Sequence, residues 1–260
     1  MQTKSFSKSL LFASLFISLS IIAVLFVFHT TNAAVNLPWS TTYNCPEWKQ
    51  TDGNPNCDGL VHYGDWTTKD GKEEQITSAA NYTGAGGGGG RGQRHWLGDG
   101  SANNSGGTKI EFTSPQSELW IRWYMRFQQD FTWSSLQQFK ILYINVGTSN
   151  SVILTPMEWD RMYVQTQCTP QNYRSAQGYG WDSIIAANGA LDSNGHRKSD
   201  GQWHYYEVHL KVDTNGSNGI AEWWIDGIQV MSYNNVNFCG GQWTYFVIGE
   251  NHAYSSNGSS

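Results

Sequence analysis

The stretch Asp200 to Val230, DGQWHYYEVHLKVDTNGSNGIAEWWIDGIQV, holds two alternating runs joined by a loop rich in Asn, Gly and Ser. In the first run His204, Tyr206, Val208, Leu210 and Val212 fall on one side, and Trp203, Tyr205, Glu207, His209 and Lys211 on the other. Side chains of a strand alternate with period two, so this is an apolar face backed by a wet one. The second run sets Ala221, Trp223 and Ile225 against Ile220, Glu222, Trp224 and Asp226. The loop from Asp213 to Gly219 supplies residues that tolerate positive φ, and Asp226-Gly227 opens a further turn. The stretch predicts a β-hairpin with one buried face.

The same alternation recurs upstream. From Glu118 to Phe127 (ELWIRWYMRF), Leu119, Ile121, Trp123, Met125 and Phe127 face one way; Trp120, Arg122, Tyr124 and Arg126 face the other. From Arg161 to Gln167, Met162, Val164 and Thr166 oppose Arg161, Tyr163, Gln165 and Gln167. Further strands are expected at Lys109–Phe112, Phe139–Val146, Ser151–Leu154 and Gln242–Glu250, with a short helical piece at Trp181–Ala187. Helical periodicity of useful length occurs only at the N-terminus. Many strands with one apolar face each imply an all-β domain, two antiparallel sheets packed as a jelly-roll sandwich.

The first 33 residues stand apart. Lys4 and Lys8 precede an uncharged run from Ser9 to Phe28, and Thr31-Asn-Ala33 offers short residues for cleavage. This fits a secretory signal peptide, and the length of the run also suits an uncleaved anchor, the one link to a membrane. Residues 34–59 read as an irregular segment bearing Cys and Pro, 60–254 as the jelly-roll domain, and 255–260 as a disordered tail. Without the leader the chain carries 14 basic and 21 acidic residues, a balance that argues against nucleic acid as a partner. Four cysteines allow three pairings; Cys45 with Cys57 would staple a Pro- and Asn-rich loop, leaving Cys168 with Cys239. Asn81, Asn103, Asn215 and Asn257 begin glycosylation sequons. Gly84 to Gly92 is nearly pure glycine and reads as a surface loop followed by Arg94 and His95; without a flanking buried strand and helix, its G-x-G-x-x-G series does not bind dinucleotide.

The WH-strand of Asp200–Lys211, followed by Glu222-Trp-Trp-Ile-Asp-Gly227, resembles the late strands of the concanavalin A-like lectin/glucanase superfamily, and Glu118–Phe127 an earlier strand of the same sheet pair. That jelly-roll group includes legume lectins, laminin G-like domains, glycoside hydrolases and polysaccharide lyases. The resemblance implies the fold over residues 60–254 and leaves the chemistry open. Laminarinase-type hydrolases of this group carry E-x-D-x-(x)-E; Glu158-Trp-Asp160 supplies two of the acids and lacks the third. Alginate lyases carry R-x-E-x-R on one strand; Arg122-Trp-Tyr124-Met-Arg126 keeps both arginines and has Tyr in place of Glu.

The resemblance implies a polysaccharide as partner, held in a concave groove. The outward positions would then be Arg122, Tyr124, Arg126, Arg161, Tyr163, Gln165, Glu207, His209, Lys211, Glu222 and Trp224. Rings can cover pyranose faces while charged and amide groups hydrogen-bond hydroxyls. Elimination on a uronate-bearing polymer would use Arg122, Arg126 or Gln165 to neutralise the carboxylate, His209 or Tyr124 as base, and Tyr163 as acid. Hydrolysis would use Glu207 and Glu222, which need about 5–5.5 Å for retention or about 6.5–9.5 Å for inversion. The plainer alternatives are a non-catalytic lectin or adhesion module, or a solvated face on which Glu207, Lys211 and Glu222 serve only a cross-strand salt bridge. No cofactor is implied, although Asp192-Ser-Asn194-Gly195 and Asp213-Thr-Asn215-Gly216 offer oxygen ligands for a structural Ca2+.

Overall fold

The computed structural model describes residues 34–49, 57–63, 75–80, 82, 90–95, 107–131, 140–158, 161–168 and 171–249. The leader, most of the glycine run, Asp160, and the C-terminal tail lie outside them. Fourteen strands follow in chain order: β1 (Trp48–Lys49), β2 (Val61–Tyr63), β3 (Gln75–Thr77), β4 (Gly92–Arg94), β5 (Gly107–Gln116), β6 (Glu118–Met125) and β7 (Leu142–Ile144). Then come β8 (Val152–Glu158), β9 (Arg161–Thr166), β10 (Gln171–Arg174), β11 (His204–Lys211), β12 (Gly219–Ile225), β13 (Ile228–Val236) and β14 (Trp243–Ile248). They form a seven-stranded sheet, β10-β9-β8-β7-β14-β5-β2, a four-stranded sheet, β13-β12-β11-β6, and a small sheet, β1-β3-β4. The strand ladders are antiparallel throughout. This is the expected two-sheet jelly-roll sandwich.

The hairpin read from Asp200–Val230 is β11 and β12, with Tyr206 opposite Ile225 and Lys211 opposite Ile220. Its buried stripe is the expected one: Tyr206, Val208, Leu210, Ala221, Trp223 and Ile225 are fully enclosed. The next turn is also legible in its chemistry. Asp226 and Gly227 both take positive φ, 51° and 79°, as a two-residue turn matched to strand twist requires. It leads into β13, a strand absent from the sequence reading.

The chain changes sheets at Ser117, between β5 of the wide sheet and β6 of the narrow one. Ile110 and Phe112 from β5, Leu142 and Ile144 from β7, and Met162 and Val164 from β9 meet Val208, Leu210 and Trp223 from the narrow sheet in one core. Trp123 stacks on Tyr206 at 5.2 Å, and Phe238 meets Trp243 edge-on at 5.4 Å. Each apolar Å² removed from water there contributes about 25 cal/mol, so the large rings dominate. Because the inner faces meet, the outward residues of the two sheets lie on opposite sides of the sandwich.

Both expected disulfides are present, Cys45–Cys57 and Cys168–Cys239. Trp48 is buried and Trp39 packs against the core, as expected of the irregular N-terminal segment. The piece expected to be helical is a π-helical turn, Trp181–Ile185.

The two loops considered for Ca2+ use their carboxylates otherwise. Asp192 Oδ1 accepts the backbone N–H groups of Asn194 and His196 at 2.8 and 3.0 Å. Asp213 accepts those of Gly216, Phe238 and Gly240. Among the described residues, no group of three or more His, Cys, Asp or Glu side chains is arranged to hold a metal ion.

Candidate functional site

The register of the narrow sheet dictates its outer face. Tyr124 stands opposite Tyr205, Arg122 opposite Glu207, Trp120 opposite His209 and Glu118 opposite Lys211. Across the next seam Glu207 faces Trp224 and His209 faces Glu222. Seven of the expected site residues, Arg122, Tyr124, Glu207, His209, Lys211, Glu222 and Trp224, therefore share one surface. Arg126 follows β6 and lies over the Trp203 ring at 5.2 Å.

The side chains of that surface are bound to one another. His209 Nδ1 is 2.8 Å from Glu222 Oε2, and its Nε2 is 2.8 Å from Glu118 Oε1. Trp120 lies flat on the same imidazole, centroids 4.1 Å apart and planes 8° apart. Both nitrogens are turned to carboxylates under an indole, so the imidazole is held at both edges and on one face. Tyr124, the other candidate base, stacks on Tyr82 at 4.0 Å.

The carboxylates are equally committed. Arg122 Nε donates to Glu207 Oε2, and that bond holds the guanidinium above its ordinary pKa. Lys211 Nζ pairs with Glu118 at 3.4 Å, not with Glu222 as the salt-bridge alternative required. The His209 hydrogen bond pulls Glu118 below the usual carboxylate range. Glu207 and Glu222 occupy diagonal positions, which lie about 7–8 Å apart, and each is engaged by a cation or imidazole. The acidic groups of the face are thus held in ion pairs and hydrogen bonds with their neighbours.

Arg161, Tyr163 and Gln165 are not part of that face. They lie on β9 of the wide sheet, paired with β8 and β10, so the single groove inferred from alternation divides between opposite sides of the sandwich. Local periodicity tells inward from outward but not which sheet a strand joins.

The outer face of the wide sheet carries its own pattern. Lys109 Nζ sits 5.5 Å from the Tyr245 ring centre, Lys140 Nζ 5.3 Å from that of Tyr143, and the Arg174 guanidinium 5.3 Å from that of Tyr163. Tyr143 belongs to β7, the middle strand of the seven. Tyr143, Ile153 and Val247 form a small cluster on this side, with Val146 and Tyr245 packed against it. Tyr143 and Tyr163 are buried in the face, and Tyr245 donates its hydroxyl to Val146 O at 2.8 Å. Lys109 also meets Glu111 at 2.6 Å, and Gln165 donates to Asn172 at 2.8 Å. Charged residues on this side include Lys109, Lys140, Arg161 and Arg174, with Glu111 beside Lys109 and Glu158 opposite Arg161 in the register.

Sequence reasoning missed Lys109, Lys140, Tyr143, Arg174 and Tyr245. The run Ile141-Leu-Tyr-Ile144 is apolar throughout, so no polar stripe marks its outer side. A Lys three residues before an outward Tyr was the available signal. Sequence reasoning also overlooked two Gln-x-His triplets, Gln93-Arg-His95 on and after β4 and Gln202-Trp-His204 entering β11. In the second the imidazole is buried, with Nδ1 2.7 Å from Asp226.

No protein-family model matches the chain, and no curated protein does. Solved structures to which it is similar include an alginate lyase from a Chlorella virus, at 13 % identity, covering 75 % of this chain and 82 % of that one with a TM-score of 0.38. An endo-β-1,4-glucuronan lyase from the fungus Trichoderma reesei is similar at 12 % identity, 75 % of each chain and a TM-score of 0.39. An endo-1,3-β-glucanase from Streptomyces sioyaensis is similar at 13 % identity, 83 % of this chain and 80 % of that one, with a TM-score of 0.31.

Proposed function

We propose that the protein acts outside the cytoplasm on a uronate-bearing polysaccharide, bound across the outer face of the wide sheet and cleaved by β-elimination. The observation that carries this reading is the set of three cation-on-ring pairs, Lys109/Tyr245, Lys140/Tyr143 and Arg174/Tyr163, on one face of one sheet. A row of cations over tyrosine rings suits a polymer that presents a carboxylate and an apolar ring face with each sugar. The two disulfides support a setting outside the cytoplasm.

Elimination removes the proton on the carbon next to the carboxylate, breaks the bond from the adjacent carbon to the glycosidic oxygen, and leaves a carbon–carbon double bond. The leaving oxygen gains a proton. A cation beside the carboxylate stabilises the negative charge that builds as the C–H bond breaks. Lys140, just before the central strand, does the proton work: it accepts from carbon and, once protonated, delivers to the leaving oxygen. Lys109 and Arg174 hold the carboxylates of neighbouring sugars, and Gln165 with Asn172 meets hydroxyls.

The test is incubation with alginate, polyglucuronate and polygalacturonate while the absorbance of the unsaturated product is followed. Lys140→Ala should lower turnover about 100-fold or more, the usual weight of a positioned acid or base. New reducing ends without new absorbance would mean hydrolysis, and binding without either would leave a lectin; both outcomes reject the elimination.

A further inference from the structure

The narrow sheet's outer face carries an exposed ring platform that the elimination chemistry does not use. Trp120 is 51 % exposed, the most exposed of the large rings among the described residues, yet it is fixed in place. It lies on His209 at 4.1 Å with planes 8° apart, and Trp224 stands 5.8 Å away with planes 21° apart. The imidazole beneath is itself clamped at both nitrogens by Glu118 and Glu222 at 2.8 Å. Ser232 Oγ and Gln229 Nε2 reach the other oxygen of Glu222 at 3.3 and 3.5 Å, which fixes the clamp in turn. An indole costs free energy to leave in water, and a network that holds one there rigidly suits a partner that stacks on it.

Charge selects the partner. The carboxylates around the platform are engaged: Glu118 and Glu222 hydrogen-bond His209, Lys211 pairs with Glu118, and Arg122 pairs with Glu207. Among the described residues of this face, Arg122 and Lys211 are both taken up by these carboxylates, so no row of cations is offered to a polyanion. The paired charges still offer hydrogen-bonding edges at the height of the rings, with the Arg122 guanidinium 5.8 Å from the Trp120 ring centre. We infer that this platform binds an uncharged pyranose polymer, whose C–H faces stack on Trp120 and Trp224 while its hydroxyls meet the flanking ion pairs. The molecule then has two carbohydrate surfaces back to back, one holding an uncharged glycan and the other facing the acidic chain. The inference does not depend on the elimination reading.

The experiment is retention of the protein on insoluble β-1,4-glucan and β-1,3-glucan, read as a Kd by depletion, for the wild type, Trp120→Ala, Trp120→Leu and Lys140→Ala. Leu keeps apolar cover over His209, so Trp120→Leu separates loss of the ring from loss of folding; melting temperature and circular dichroism verify both Trp120 variants. Loss of one stacked ring should weaken retention about tenfold. Lys140→Ala should bind the glucans as the wild type does, whatever happens to its action on polyuronates. Failure of the wild type to bind either glucan, or unchanged retention by a folded Trp120→Leu, overturns the proposal. So does a shift of the wild type from dimer to monomer on substituting Trp120, which would make the platform an interface between copies of this chain.

Discussion

Asp213 reaches across from the end of β11 to the backbone before β14: its Oδ1 accepts the Phe238 N–H at 2.6 Å and the Gly240 N–H at 3.1 Å. Its Oδ2 accepts the Gly216 N–H at 2.8 Å, so one buried carboxylate closes the hairpin loop and pins the segment that carries Cys239. Burial alone would raise its pKa, but these three donors outweigh it and hold the group below the ordinary aspartate range. Asp213→Ala strands the donors and should cost about 2–3 kcal/mol, measured by urea unfolding at neutral pH.

The same carboxylate sets an acid limb. A pKa lower in the folded than in the unfolded state contributes stability that is complete above the unfolded value, about 3.9, and is lost as pH falls through the folded one. Melting temperature should therefore drop below about pH 4 in the wild type and less steeply in Asp213→Asn. An equal slope in both proteins would show that the three backbone donors do not bind the ionised form preferentially.

His209 is the second buried polar junction. Its imidazole separates Glu118 from Glu222, and removing it leaves two carboxylates without a shared donor under Trp120. His209→Ala should destabilise by about 1–3 kcal/mol. Adding Glu222→Gln should recover part of that loss, because an amide no longer repels Glu118. A double-mutant cycle measures the coupling; additive costs would mean that the three groups do not act as one network.

The disulfides should differ in weight. Cys168–Cys239 closes a separation of 71 residues and Cys45–Cys57 one of 12. Constraint of the unfolded chain alone gives about 4 kcal/mol for the longer loop and about 3 kcal/mol for the shorter. Serine pairs at each site, compared by denaturant midpoint, check the order. The long bridge also fastens Cys168 after β9 to the segment that Asp213 pins, so its loss should steepen the cost of Asp213→Ala.

What the sequence made legible was parity. From His204 to Ile225 and from Glu118 to Met125, β-branched and aromatic residues alternate with charged ones, and each predicted inward position of the hairpin is enclosed. β13 escaped notice because Gln229, Ser232, Asn234 and Asn235 break the apolar rhythm, and register shifts in its pairing with β12 break the parity. The division of the site was not legible at all. Whether β9 joins β8 and β10 or β6 and β11 is decided by long-range pairing, which leaves no trace in the period of a six-residue run. Tyr163 illustrates the consequence: outward by alternation, it is 1 % exposed, a ring set into its own face with Arg174 over it.

Salt should separate the two proposed carbohydrate surfaces. Lys109, Lys140, Arg161 and Arg174 stand on the wide sheet's outer side, with Glu111 beside Lys109 and Glu158 opposite Arg161, and the attraction of such charges for a polyuronate is screened by added ions, with a Debye length of about 10 Å at 0.1 M and about 3 Å at 1 M. The KM for alginate or polyglucuronate should therefore rise severalfold over that range. Retention on an uncharged glucan depends on stacking against Trp120 and on ion pairs already satisfied among themselves, so its Kd should hold steady or tighten, since excluded salts favour apolar burial. Parallel measurement of both constants against ionic strength checks the assignment: a common salt slope would place both polymers on one surface, and that surface would have to be the cationic one.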